Sequence, residues 1–173
     1  MKNEYEVRGN VTAVLINSEK YGNFETLIDT TDLNLLHDFP NFWKLLKDNK
    51  SDSFYIVGKI YQNSKSKSIL LHRYITDAPK GMVVDHINHN TLDNRRSNLR
   101  IVPHHINILN RRERAKNNRT SGFLGVSWNS RKGKWCSNIT INGKYKHLGY
   151  FEELNEAVEV SRLARENVLS QYN

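Results

Sequence analysis

One stretch of the chain, residues 85–100, decides how the sequence is interpreted; it reads DHINHNTLDNRRSNLR. Short apolar runs mark its two ends, at residues 82–87 and 99–102, and each has the length of a strand. Pro103 follows, and proline is common at the first helical position because its missing N–H would be unpaired there. The segment therefore predicts the order strand, polar loop, strand, helix.

Four polar side chains in this region have the chemistry that phosphodiester hydrolysis requires, namely a base and a site for a charge-neutralising cation. His86 is the natural base because histidine titrates near neutral pH. Asp85 offers a hard oxygen ligand for Mg²⁺, and Asn107, in the second turn of the predicted helix, could add an amide oxygen. Asn98 could bridge the backbone across the loop and fix the His86 ring. Neighbouring strand residues point to opposite faces, so Asp85 and His86 act together only if the strand twists or ends there.

These residues resemble the HNH ββα-metal signature of phage and intron-encoded homing endonucleases, and the match continues through Pro103 to Asn110 and Arg111. The resemblance implies that Asp85 and Asn107 bind one Mg²⁺ or Mn²⁺ ion per active site. It also implies that His86 is the general base and that Asn98 orients it. The zinc-binding cysteines of some HNH proteins are missing from the sequence, which predicts that there is no structural zinc.

A second pattern near the C-terminus predicts three strands followed by one helix. Asn142-Gly143 favours a two-residue type I′ hairpin, since both residues accept positive φ. Apolar residues recur at helical spacing further on, at Ala157, Val160, Ala164 and Val168. The predicted elements are strands at 123–128, 134–141 and 144–151 and a helix at 152–169.

This C-terminal unit resembles an AP2 domain, in which a three-stranded sheet packs on one helix and lies in the DNA major groove. Alternation along the second strand places Ser137 and Ile139 on the helix side. Arginines that plant AP2 domains carry at several positions are replaced here, so their target preference does not transfer, and a purely stabilising role for the unit is the alternative. The residues expected to face DNA are Ser127, Arg131, Lys134, Asn138, Thr140, Tyr145 and His147.

The N-terminal region is β-leaning, and the sequence leaves its role open. Strands are predicted at 11–16, 24–28 and 53–61. Short helices are predicted within 33–46, and residues 69–75 form either a hairpin partner or the start of a helix. The whole chain is expected to be α+β. Its predicted segments are an N-terminal β-rich region at 1–70, a ββα-metal nuclease core at 71–112, a basic linker at 113–121 and an AP2-like DNA-binding domain at 122–173.

The composition indicates a polyanionic partner, which could be nucleic acid, a membrane surface or an acidic protein. The net charge is +8 over 173 residues, and a protein this basic usually meets a polyanion. Cys136 is the sole cysteine, which fits a reducing compartment such as the cytoplasm of a bacterial host. The sequence shows no signal-like or membrane-spanning apolar run. We expect double-stranded DNA as the partner, without a membrane or a small-molecule cofactor, and phosphate contacts from Arg73, Arg95, Arg96, Arg111 and Arg112; Arg73 could equally serve packing.

These observations lead to the hypothesis of a metal-dependent, site-recognising DNA endonuclease of the homing type. With one site per chain, a monomer would nick one strand, whereas a double-strand cut would need a dimer or a second event. The alternative is a sequence-specific DNA-binding regulator with an inactive nuclease core, against which the intact set of four polar residues argues. An RNA-binding protein would not need that set and would use aromatic platforms that are missing here.

Overall fold

The computed structural model describes residues 1–49, 52–62, 65–110 and 120–172. These residues form an α+β fold of small antiparallel sheets, as the sequence predicts. The chain divides into two compact units, Met1–Ile101 and Val102–Asn173. Residues 1–70 thus share one compact unit with most of the predicted nuclease core. Within the described part of the chain, no helix has the length and apolar character needed to span a membrane.

Two three-stranded antiparallel sheets make up most of the first unit. The strands of the first sheet, in spatial order, are β1 (Tyr5–Arg8), β2 (Val11–Ser18) and β3 (Gly22–Asp29). Those of the second are β4 (Lys44–Asp48), β5 (Ser53–Gln62) and β6 (Lys65–Leu70). The described residues of this unit also form the α-helices α1 (Leu33–His37) and α2 (Leu71–Thr76).

The sequence predicted these elements unevenly. The three predicted N-terminal strands are confirmed, and α2 begins directly where β6 ends, so both interpretations of residues 69–75 hold in part. The predicted helix within 33–46 is confirmed only at α1. Its second half is wrong, because Leu45 pairs with Ile56 and joins the second sheet as β4. The segment pairs with β5, the next strand along the chain, and this pairing overrides the weak local preference there.

The core of the first unit contains a close aromatic stack above a glycine. The rings of Phe39 and Trp43 are stacked with centroids 4.1 Å apart, and both side chains are buried. Gly58 lies in β5 beneath them, where an added Cβ would be 2.3 Å from Phe39 Cζ. The strand therefore needs glycine at this point to admit the stack.

The decisive segment folds in the predicted order. Its two strands are β7 (Met82–His86) and β8 (Leu99–Pro103), which pair with each other. The helix that follows, α3 (His104–Asn107), is shorter than expected, and Asn107 is its last residue rather than a member of a second turn. Pro103 precedes the helix in an extended conformation.

The second unit contains a three-stranded antiparallel sheet that packs on a helix. Its elements are β9 (Val126–Asn129), β10 (Lys134–Ile141), β11 (Lys144–Phe151) and α4 (Leu154–Leu169). Asn142 and Gly143 both have positive φ, which confirms the predicted turn.

Two details of this unit differ from prediction. β9 begins only at Val126, because Gly125 has φ of +75° and an added Cβ would be 2.5 Å from the carbonyl oxygen of Asn138. On α4 the buried positions are Ala157, Ser161 and Leu169. The predicted stripe missed Ser161 because it is polar, yet its hydroxyl is satisfied by the Leu124 carbonyl at 3.0 Å.

We predict that Gly58→Ala destabilises the protein by about 1–3 kcal/mol, the usual cost of overpacking a core. Thermal or urea unfolding measures the change. Ser68→Ala, at an exposed position of the adjacent strand β6, is the matched control and should be nearly neutral. An unchanged midpoint for Gly58→Ala would contradict the packing described here.

Candidate active site

The loop between β7 and β8, residues 87–98, is here called the motif loop. It runs beside β3 of the first sheet. The Leu27 amide donates to the Leu92 carbonyl at 2.9 Å, and the Asn94 amide donates to the Leu27 carbonyl at 2.7 Å. Leu27 and Asp93 form a parallel β-bridge at this point. The N-terminal sheet therefore supplies backbone partners for Leu92 and Asn94 of the motif loop.

His86 lies at the end of β7 and is 5% exposed. Its Nε2 is 3.2 Å from Asn94 Oδ1. The Asn94 amide group donates to Thr26 Oγ1 at 2.8 Å, and the Thr26 hydroxyl donates to the Leu92 carbonyl at 2.8 Å. Asn94 and Thr26 are buried. Both were missed by the sequence analysis, although Asn94 stands within the decisive segment.

Asn98 holds the motif loop together from within. Its Oδ1 accepts from the Asn88 amide at 2.9 Å, and its Nδ2 donates to the Asp93 carbonyl at 2.7 Å. The predicted bridge across the loop is therefore present. The His86 ring hydrogen-bonds to Asn94 Oδ1, and Asn98 supports the loop that carries Asn94.

Asp85 is buried beside an arginine that the sequence analysis did not single out. Arg100 Nε and Nη2 donate to Asp85 Oδ2 at 2.8 and 2.6 Å, and the arginine side chain is 3% exposed. A buried carboxylate requires such a partner to remain charged. Because β7 ends at His86, Asp85 and His86 occupy the strand end together, as their joint action requires.

The second predicted metal ligand, Asn107, is a half-buried residue of the second unit, whereas Asp85 belongs to the first. Joint binding of one ion by Asp85 and Asn107 stays a prediction. Among the described residues, no group of three or more His, Cys, Asp or Glu side chains is arranged to hold a metal ion. The predicted pair, one carboxylate and one amide, would depend on water or phosphate oxygens for its remaining ligands.

Two further rings line the environment of His86. His72 at the start of α2 stands edge-on to His86, with ring centroids 5.0 Å apart, and Tyr55 lies 6.2 Å from His86. Burial, together with the neighbouring His86 and Arg73, lowers the pKa of His72 to about 3. Burial also lowers the pKa of His86, while the Asn94 hydrogen bond and Asp85 oppose that shift. Both rings are therefore neutral at neutral pH, as a general base must be.

Arg73 has a packing role. Its guanidinium donates to the Met82 carbonyl at 2.7 Å and to the Ala78 carbonyl at 2.9 Å. The sequence left Arg73 between packing and phosphate contact, and these backbone partners fix the turn between α2 and β7. Contact with DNA is not needed to explain this residue.

Arg95 and Arg96, which are also predicted to contact DNA, form ion pairs with carboxylates of the protein. Arg95 forms two hydrogen bonds to Asp93, and Arg96 forms three to Asp32. The pKa of Asp93 is lowered by its hydrogen bonds to Arg95. Since the Arg96 side chain is 54% exposed, a phosphate contact from it stays a prediction. Arg111 and Arg112 lie outside the described residues, as does most of the predicted linker.

Six of the seven residues expected to face DNA lie on the strands of the C-terminal sheet. Asn138 stands opposite His147, and Thr140 stands opposite Tyr145, which is 63% exposed. Ser127 on β9 is half-buried, Arg131 in the following turn is exposed, and Lys134 pairs with Glu152 at 3.2 Å. The sheet therefore presents a polar and aromatic surface on the side away from α4.

Comparison with known proteins identifies two similarities. Residues 77–109 match the family model of an HNH endonuclease. The chain is also 32% identical over 88 residues to Protein 3.8 of Escherichia phage T7, a match that covers 51% of this chain and 71% of that protein. No solved structure was found that matches the chain. The matched family segment contains Asp85, His86, Asn94, Asn98 and Asn107.

We predict that His72 makes stability depend on pH. The pKa of this histidine falls from an ordinary 6.5 to about 3 on folding, so the unfolded chain takes up a proton that the folded chain refuses. Stability is full above the unfolded pKa and falls with pH below it. Wild type should lose about 2 kcal/mol more than His72→Asn between pH 7 and pH 5.

Urea unfolding at the two pH values measures this difference. His37→Asn, which changes an exposed histidine of the same unit, should behave as wild type. If His72→Asn and wild type lose stability equally, His72 does not stay neutral in the folded protein.

Proposed function

Since this chain belongs to the family of Protein 3.8 of Escherichia phage T7 and carries an HNH endonuclease domain at residues 77–109, we propose that it is a metal-dependent DNA endonuclease. The observation that carries the proposal is the joint placement of Asp85 and His86 at the end of β7. Both side chains are buried beneath a loop that Asn98 closes. A ligand for a cation and a neutral base thus stand on adjacent residues.

His86 acts as the general base. Its Nε2 faces Asn94 Oδ1, which can only accept a hydrogen bond. The neutral ring then has its lone pair on Nδ1, which takes a proton from the attacking water. The water oxygen bonds to phosphorus as the bond to the 3′-oxygen breaks, and the leaving oxygen takes up a proton from solvent. The products are 5′-phosphate and 3′-hydroxyl ends.

Asp85 and Asn107 would hold one Mg²⁺ or Mn²⁺ ion. Their oxygen donors fit such hard cations. The Arg100 pair does not oppose this role, because a carboxylate has two oxygens and about four lone-pair positions. When bound, the ion would neutralise negative charge on the phosphate and the leaving oxygen. Arg100 fixes the orientation of the Asp85 carboxylate through its two hydrogen bonds to Oδ2.

The C-terminal sheet would choose the cleavage site. A β surface enters the major groove and reads base edges with polar side chains. Asn138, Thr140 and Tyr145 lie on one face of this sheet, and Tyr145 is 63% exposed. We infer an AP2-like, homing-type arrangement in which this sheet binds the target and the HNH domain cuts it. One active site per chain would nick one strand, in the cytoplasm of a bacterial host.

We predict that the protein nicks supercoiled plasmid DNA in Mg²⁺ and that EDTA stops the reaction. His86→Ala should lower the rate by about 10²–10⁴-fold, the usual contribution of a general base. Conversion of supercoiled to open-circular DNA on agarose gels gives the rate.

His37→Ala should cut as wild type does, since this histidine lies on α1 and is exposed. Equal cutting by His86→Ala would refute the mechanism. Tight binding of target DNA with no cutting in Mg²⁺ or Mn²⁺ would instead identify a regulator with an inactive nuclease core.

We predict that the double substitution Thr140→Ala and Tyr145→Ala weakens binding to a selected target by about 1–3 kcal/mol, the worth of a good base contact. The loss should appear in a fluorescence-anisotropy titration and leave the thermal midpoint nearly unchanged, because both residues are exposed. Leu163→Ala, at an exposed position of α4, is the control. An unaltered affinity for the double variant would exclude this face as the DNA surface.

A further inference from the structure

We propose that Thr26, in the N-terminal sheet, is a positioning residue of the nuclease, which through Asn94 holds the His86 ring in the tautomer that carries its proton on Nε2. The inference rests on the proposed function, in which His86 is the general base. It assigns a role to the N-terminal region, which the HNH match at residues 77–109 does not include.

Hydrogen bonds run in series from His86 through Asn94 and Thr26 to the Leu92 carbonyl. The direction of each of them follows from this final acceptor. The Leu92 carbonyl can only accept, so the single hydroxyl hydrogen of Thr26 points to it. Toward Asn94 the same hydroxyl must then accept, which turns the Asn94 Nδ2 group to Thr26 and its Oδ1 to the ring. An amide oxygen cannot donate. The hydrogen between Asn94 and His86 therefore belongs to Nε2.

Burial shields this series of hydrogen bonds from water. Thr26 is 0% exposed, Asn94 1% and His86 5%. Buried polar groups without a partner are unfavourable, and water has little access to replace a lost one. The Thr26 hydroxyl therefore fixes the orientation of the Asn94 amide group. That amide group in turn fixes which ring nitrogen of His86 carries the hydrogen.

Backbone hydrogen bonds hold the motif loop beside β3 independently of the Thr26 hydroxyl. Leu92 also accepts from the Leu27 amide, and Leu27 accepts from the Asn94 amide. Removing the hydroxyl should leave the motif loop in place beside β3. What changes is the orientation of the Asn94 amide group, because Nδ2 loses its acceptor.

An amide group that loses this acceptor gains by turning over. Its Nδ2 then faces His86 and donates to Nε2, which must give up its hydrogen. The ring would carry the proton on Nδ1, the atom that the proposed reaction uses as base. Thr26→Val therefore should mix the two tautomers without removing any group that touches DNA.

The test measures the His86 tautomer and the nicking rate in the same set of full-length variants. Long-range ¹H–¹⁵N spectra at pH 8 distinguish protonated from bare ring nitrogens, and His86→Gln assigns the signals. Wild type should show one His86 species with the hydrogen on Nε2. Thr26→Val should show the second tautomer as well, with nicking lowered roughly tenfold, the lower end of what orienting partners contribute, and unchanged DNA affinity.

Two controls separate this role from simple stability. Thr12→Val removes a second fully buried hydroxyl of the same sheet, one that bonds to Thr30; it should keep the wild-type tautomer and rate. Thr26→Ser retains the hydroxyl and should restore both. Thermal unfolding verifies that each variant is folded, and Thr26→Ala is the alternative if valine does not fit.

A second set of variants, made in the Asn94→Asp protein, tests whether Thr26 acts on the His86 ring through Asn94. In Asn94→Asp the side chain can only accept, so the ring should keep its Nε2 hydrogen whether residue 26 is threonine or valine. A single Nε2–H species in Thr26→Val, or an equal change in Thr12→Val, would overturn the proposal. Wild type that shows the locked tautomer but does not nick DNA would instead refute the nuclease function and leave the positioning by Thr26 standing.

Discussion

The backbone pairing between β3 and the motif loop is the constraint on which the rest of the first unit depends. The loop is polar, with Leu92 and Ile87 as its apolar residues, so it cannot fold by burying its own side chains. Its backbone groups need partners, and Leu27 supplies them on both sides of Asp93. The sheet that precedes the HNH segment is therefore part of the framework that holds the motif loop.

What could be predicted from the sequence was what local pattern determines. The order strand, loop, strand, helix follows from short apolar runs, and the Asn142-Gly143 turn follows from two residues that accept positive φ. The strand Lys44–Asp48 was missed because its conformation depends on pairing with β5. The role of Thr26 lies beyond local pattern, since its partner Asn94 is 68 residues away.

The arginines of the decisive segment show what net charge alone does not predict. A net charge of +8 predicts a polyanionic partner, but it does not say which cations meet that partner. Arg95 and Arg96 each bind a carboxylate of the protein, and Arg100 is buried against Asp85. Arginine is suited to such planar, two-point contacts with carboxylates. Within the decisive segment, arginine thus organises the site as much as it could attract DNA.

The pairing of the motif loop with β3 also bears on how this HNH domain could be exchanged between proteins. The segment that matches the HNH family begins at residue 77, so it does not include Thr26, Leu27 or Asp32. A graft of that segment alone would carry His86 and Asn94 but not the strand that orders them. The smallest transferable unit that contains this HNH domain therefore includes the N-terminal sheet, and a recombination boundary immediately before residue 77 would separate His86 from the strand that pairs with the motif loop.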